Sequence, residues 1–179
     1  MTETAEIRWF LPGPLPDAVG AWFDAVASDA RHASRTDRYL VPEGEAVGRK
    51  WREGRAEVKT RTHVGAEAVA CGRAAGTPEH WCKETVAALP DAPALDVAKA
   101  RRTCIVETSS ASCMLEVSTV AVGGSSWWTV CLEAAAPTAE ARERTLREAC
   151  QRWLAHPDTP ALPAEASRGY PAWLLERVA

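Results

Sequence analysis

Residues 47–61 read VGRKWREGRAEVKTR, with six basic side chains in fifteen positions and Glu53 and Glu57 between them. Arg and Lys at this density suit one kind of chemistry, the holding of anionic oxygens, and Arg matches a phosphate edge with two parallel hydrogen bonds. Glu53-Gly54 is a turn signal, so the stretch reads as a hairpin of 47–53 and 55–64. Strand alternation then places Glu57, Lys59, Arg61 and His63 on one face and Val58, Thr60, Thr62 and Val64 on the other. In the first strand, Lys50 and Arg52 share a face and Arg49 takes the opposite one. The register that decides which of them joins Lys59 is open by one residue.

Charged rows recur along the chain: Glu6 and Arg8 in EIRWFL, Arg73, Lys83 in HWCKE, Lys99 and Arg101 in KARR, then Glu116 and Glu133. The alternate positions carry Ile7, Trp9, Val58, Val117, Val130 and Leu132. Periodicity alone favours the ordinary arrangement, with apolar rows inside and charges in water.

Several classes are disfavoured by composition. The chain has 179 residues, 46% hydrophobic and 25% charged, and a net charge of −3. That length suits one domain over 1–179. The negative balance argues against a nucleic-acid or anionic-membrane partner, so attraction to anions must come from local clustering. No apolar run approaches the roughly 20 residues that span a bilayer, and the first residues show no export signal. A cytoplasmic chain is the expectation. Its six cysteines (71, 82, 104, 113, 131, 150) then read as reduced thiols, and none stands at zinc-pair spacing.

The elements that must position the charges are mostly strands. Strands are expected at 6–11, 35–41, 47–53, 55–64, 67–75, 80–84, 99–108, 112–122 and 126–134, with an irregular connection over 86–96. Val19, Trp22, Phe23 and Val26 mark a helix from about 16 to 30. A second helix runs from Pro137-Thr138 to about Leu154, and the tail ends in an apolar segment, PAWLLERV, that docks on the body. This pattern predicts an α+β protein: an eight-stranded antiparallel β-barrel with flanking helices, the C-terminal helix and docked tail occupying about 137–179.

The ordered succession EIRWF, RTDRYL, GRKWREGRAEVKTR, WCKE, KARR, then MLEVSTV-turn-WWTVCLEA resembles the CYTH or triphosphate tunnel metalloenzyme superfamily. The resemblance implies a barrel whose polar row faces inward and binds a small phosphorylated or other anionic molecule, with hydrolysis of a triphosphate as the associated activity. Matched by position, Arg52, Lys59, Arg61, Lys99 and Arg101 would contact phosphate, with Arg73, Lys83, Arg49 and Lys50 as additions. Glu6, Glu57, Glu116 and Glu133 would be the acidic positions that hold Mg²⁺ or Mn²⁺. The sequence departs from the family pattern at three places. Its ExExK strand reads Glu6-Ile7-Arg8-Trp9-Phe10, so an acid has become Arg8 and a lysine Phe10. The terminal ExE reads Cys131-Leu132-Glu133. Two lost carboxylates and a gained Arg weaken a divalent-cation site, whereas anion binding survives them. The alternative is a non-catalytic binding module on the same barrel for another anionic or aromatic ligand.

Three smaller features are open. His63 is a candidate acid or base, though a histidine at a strand end is more often solvated. Cys131 reads better as a buried inert thiol than as a nucleophile, since no base is implied beside it. The eight tryptophans are first of all core packing, and one of Trp127 and Trp128 is a candidate for the tunnel mouth.

Overall fold

The computed structural model describes residues 1–178. Strands β1 (Thr2–Pro12), β2 (Arg31–Leu40), β3 (Val47–Arg52) and β4 (Arg55–Val64) are followed by a small hairpin, β5 (Val69–Cys71) and β6 (Ala74–Gly76). Then come β7 (Glu79–Val86), β8 (Ala94–Glu107), β9 (Ser112–Val122) and β10 (Ser125–Ala134). The helices are α1 (Asp17–Val26), α2 (Ala139–Ala149) and α3 (Tyr170–Val178). Eight strands close an antiparallel barrel in the order β1-β10-β9-β8-β2-β3-β4-β7, and β5-β6 stands outside it. The expected α+β architecture is the observed one.

The turns follow from residue type. Glu53 and Gly54 have φ of 50° and 77°, and Gly123 and Gly124 have 56° and 78°. Two successive left-handed residues make the turn whose twist matches the strands it joins. Thr138 caps α2 by accepting a hydrogen bond from the Ala141 amide, and the helix ends in a π-helical turn, Cys150–Leu154.

The apolar rows face outward. Ile7 and Trp9 of β1, Leu115 and Val117 of β9, and Val130 and Leu132 of β10 pack with Trp22 and Phe23 of α1, Leu146 of α2, and Trp153, Leu154 and Leu162 beyond it. The β5-β6 hairpin joins this layer, and the Trp9 indole donates to the Ala75 carbonyl at 2.7 Å. The ordinary arrangement suggested by periodicity is therefore inverted. Glu6, Arg8, Asp37, Lys99 and Glu116 are all buried, and the hydrophobic layer lies between the barrel's outer face and its helices.

A second, smaller core fills one end of the barrel. Phe10, Tyr39, Val97, Val120 and Val122, on the inward rows, close around Trp173 and Leu174 of α3. Phe10 stacks on Trp173 with ring centroids 4.5 Å apart. The docked tail is thus a plug, and the interior is a pocket open at the other end. Gly169 permits the approach to α3, because a Cβ there would fall 2.6 Å from the Trp81 ring and 2.7 Å from the Glu79 carboxylate. Among the described residues no helix is long and apolar enough to cross a membrane.

Three expected elements differ. The strand expected over 67–75 is the β5-β6 hairpin, because Gly72, at φ 58°, turns the chain back on itself. Strand β2 begins at Arg31 and β8 at Ala94, earlier than their sequences suggest, since each pairs with the other from Arg31↔Thr103 to Leu40↔Ala94. Pairing of this kind extends strands whose own residues carry little β signal.

Candidate functional site: a cation-rich pocket in the barrel

The pocket between the α3 plug and the open end has a volume of about 350 Å³. All four lysines of the chain (Lys50, Lys59, Lys83 and Lys99) line it, together with Arg8, Arg35, Arg52 and Arg101. Four carboxylates, Glu6, Glu57, Glu116 and Glu133, share the wall. Eight cations against four anions give this cavity a positive excess inside a protein of net charge −3.

The excess is concentrated on one wall. Asp37 on β2 is fully buried, and four cations converge on its carboxylate. Arg35 Nε donates to Oδ1 at 2.9 Å, Lys50 Nζ to Oδ2 at 2.9 Å and Lys99 Nζ to Oδ2 at 3.1 Å, while Arg52 Nε lies 3.5 Å from Oδ1. The Tyr39 hydroxyl accepts from Lys99 at 2.9 Å and Lys50 at 3.3 Å. Glu57 adds one more carboxylate, 3.8 Å from Lys50 and 3.6 Å from Arg52. Burial alone would raise Asp37, but Lys99 and Lys50 outweigh it and hold the carboxyl well below the usual range. The cations are correspondingly strained electrostatically. Burial and then Arg52 bring Lys50 down to about 8 against the pull of Asp37, and burial and then Lys50 push Lys99 well below its ordinary value. Arg52 Nε is buried without a hydrogen-bond partner. Such a wall carries more positive than negative charge.

The facing wall is more closely hydrogen-bonded, although Arg8 Nε is also buried there without a partner. Arg8, Cys131 and Glu116 lie side by side on β1, β10 and β9. Arg8 Nη1 donates to Glu116 Oε1 at 2.8 Å, and Arg101 Nε donates to Oε2 at 2.7 Å, with its Nη2 also against Oε2. Ser118 Oγ donates to Glu116 at 3.1 Å. Burial would raise Glu116, yet Arg8 and Arg101 hold it well below the carboxylate range. Next to this group, Lys59 donates to Glu6 at 2.6 Å. Burial would lower the Lys59 ammonium, and Glu6 carries it above its ordinary value instead.

Arg8 is the partner of Glu116, and Phe10 stacks on the plug. Cys131 points into the barrel wall beside Arg8, and burial pushes its thiol well up, which makes it inert. None of the six cysteines is paired in a disulfide.

The acidic positions do not fit a divalent cation. Glu6, Glu57 and Glu116 are each engaged by lysine or arginine. No group of three or more His, Cys, Asp or Glu side chains among the described residues is arranged to hold a metal ion. Hard cations need several free oxygens on one point, and Glu6 and Glu116 are spent on hydrogen-bonded ion pairs.

Of the phosphate contacts expected from sequence, Arg52, Lys59, Lys83, Lys99 and Arg101 line the pocket. The register of the first hairpin strand is settled: Lys50 and Arg52 face in, and Arg49 lies outside, 3.9 Å from Glu43. Arg61 is on the inward row but is held by Glu79 at 2.6 Å and Glu45 at 3.7 Å, away from the pocket surface. Arg73 is a correction. It is exposed on the turn of the β5-β6 hairpin, outside the barrel. His63 is a second one, because a bulge between Arg61 and His63 shifts the pairing and turns it outward, its ring 5.5 Å from that of His80. Trp127 does face inward, but at the plugged end against Trp173 rather than at the mouth.

Sequence reasoning missed Asp37 and Arg35. Their signal was present in RTDRYL, where alternation puts Arg35, Asp37 and Tyr39 on one row. It missed Tyr170 altogether: Lys99 Nζ lies 3.8 Å from its ring centroid, a contact made by the distant tail. No family model, curated protein or solved structure matches the chain.

Proposed function

We propose that the barrel pocket binds a small phosphorylated molecule and seats its phosphate on the Asp37 wall. The reading is supported by one observation above the others, four cations converging on a single buried carboxylate with Arg52 Nε left without a partner. A phosphate supplies several acceptor oxygens to those donors and relieves the repulsion among them. The motif order shared with the CYTH superfamily points the same way. The restriction of lysine to the pocket adds to it, because each ammonium offers three donors to phosphate oxygens.

The function proposed is binding without hydrolysis, since Glu6 and Glu116 are committed to ion pairs. Calorimetric titration with inorganic tripolyphosphate and pyrophosphate tests it. Saturable binding, weakened at least tenfold in Arg52→Ala, is the expected result, and no heat and no thermal shift with either anion overturns it. Phosphate release that is stimulated by Mn²⁺ and abolished by Glu133→Gln would replace binding with catalysis.

A further inference from the structure

The open end of the pocket is chemically unlike its floor. Ile105 on β8 and Met114 on β9 are direct cross-strand partners, both line the pocket, and Ala135 lies beside them. Ile105 is 60% exposed, a large aliphatic side chain left in water on an inward row whose deeper members are Arg101 and Lys99. Met114 is in turn the cross-strand partner of Glu133. A polyanion reaching outward from the Asp37 wall along β8 and β9 would therefore meet uncovered apolar surface and a carboxylate, since Lys83 stands on β7, on the opposite side of the barrel.

We propose that the ligand is an amphipathic phosphate ester, a phosphate or diphosphate of an aliphatic alcohol, with Ile105 and Met114 as the residues that select its apolar end. This inference rests on the phosphate-binding reading of the pocket. Six residues of strand separate Lys99, the cation of the Asp37 wall on β8, from Ile105, roughly 20 Å, which is the length of an alkyl chain of about ten carbons joined to a diphosphate. Covering Ile105 and Met114 removes apolar area from water, and methionine adapts its unbranched chain to the shape laid against it. The ester end also brings no charge to Glu133. Free polyphosphate lacks the apolar group, and a nucleotide would set a polar base against aliphatic side chains with no hydrogen-bonding partner on that pair.

Calorimetric titration of the full chain with decyl diphosphate and with inorganic pyrophosphate tests this. Decyl diphosphate should bind at least about tenfold more tightly, the effect of burying two methylenes. Ile105→Ser with Met114→Ser should remove that advantage and leave pyrophosphate affinity unchanged. Ile105→Leu should retain it. Because Ile105 is exposed, the single Ile105→Ser variant keeps the wild-type melting temperature and serves as the folding control. Equal affinity of the two ligands, or an advantage that persists in the double variant, overturns the inference while the phosphate site stands. If neither ligand binds, the phosphate-binding reading fails as well, and this proposal with it.

Discussion

The two walls of the pocket use the same residue types to opposite ends. Around Glu116 two arginines meet one carboxylate and a serine hydroxyl, and the carboxylate is fully used. Around Asp37 four cations share one fully buried carboxylate and one phenol, and Glu57 stands off at 3.6–3.8 Å without a hydrogen bond from them. A closely paired buried group contributes rigidity, since removing either partner strands a charge. A loosely paired one costs stability, and on the binding proposed here a ligand would complete it. The contrast predicts that mutations on one wall change folding and mutations on the other change binding.

The largest effect should come from breaking the closely paired side. Arg8→Met leaves Glu116 with Arg101 alone, and we expect a loss of about 3 kcal/mol in unfolding free energy by urea titration. Lys50→Met, which removes a surplus cation, should cost less than about 1 kcal/mol yet weaken tripolyphosphate binding about tenfold or more. Comparable destabilisation by the two would erase the distinction.

Next in size is the effect of relieving the surplus or enlarging it. Asp37→Asn removes the only fully buried carboxylate from the cation cluster and should tighten tripolyphosphate binding severalfold while lowering the melting temperature. Glu116→Gln should lower the melting temperature without that gain.

A smaller effect is expected with pH. Lys50 titrates at about 8 in the folded protein against 10.5 ordinarily. The anion requires the ammonium, so affinity should fall as pH rises through about 8, and Lys50→Arg should flatten that dependence. For folding the sign is opposite. The native state releases this proton before the unfolded chain does, so the cost of the buried ammonium is relieved, and stability rises, between about pH 8 and 10.5. A melting-temperature profile over that window checks it, and a smaller rise in Lys50→Met assigns the share of Lys50 beside that of Lys99, which is lowered in the same direction.

The smallest effect should be read by lysine modification. Every lysine lies in the pocket, so reductive methylation read at the lysines by peptide mapping reports on it. Bound tripolyphosphate should slow the reaction severalfold at Lys50 and Lys99 and less at Lys83, near the mouth; uniform protection would argue against a seat on the Asp37 wall.

Much of the site was legible in sequence because a strand fixes its own alternation. Lys59, Lys99 and Arg101 were readable as one charged row before any partner strand was known. The hairpin's Glu53-Gly54 turn was readable too, since left-handed φ has few residue solutions. Asp37 was quoted within its motif but not recognised, because one acid among basic residues declares its role only when the lysines of β3 and β8 arrive. His63 and Arg73 were misplaced for the same kind of reason. A bulge and a hairpin turn are decided by pairing, and either one changes where a side chain points.

By itself, the sequence determined the strands, their two rows and the surplus of cations in one of them. Which row faced inward was settled by the tertiary structure. Helices α1 and α2 and the β5-β6 hairpin cover the apolar rows from outside, and α3 fills one end, so burying the most hydrophobic surface leaves the charged rows no place but the interior. Whether a cation there is spent or free depends on which carboxylate lies within about 3 Å of it, and that distance is set by strands far apart in the chain.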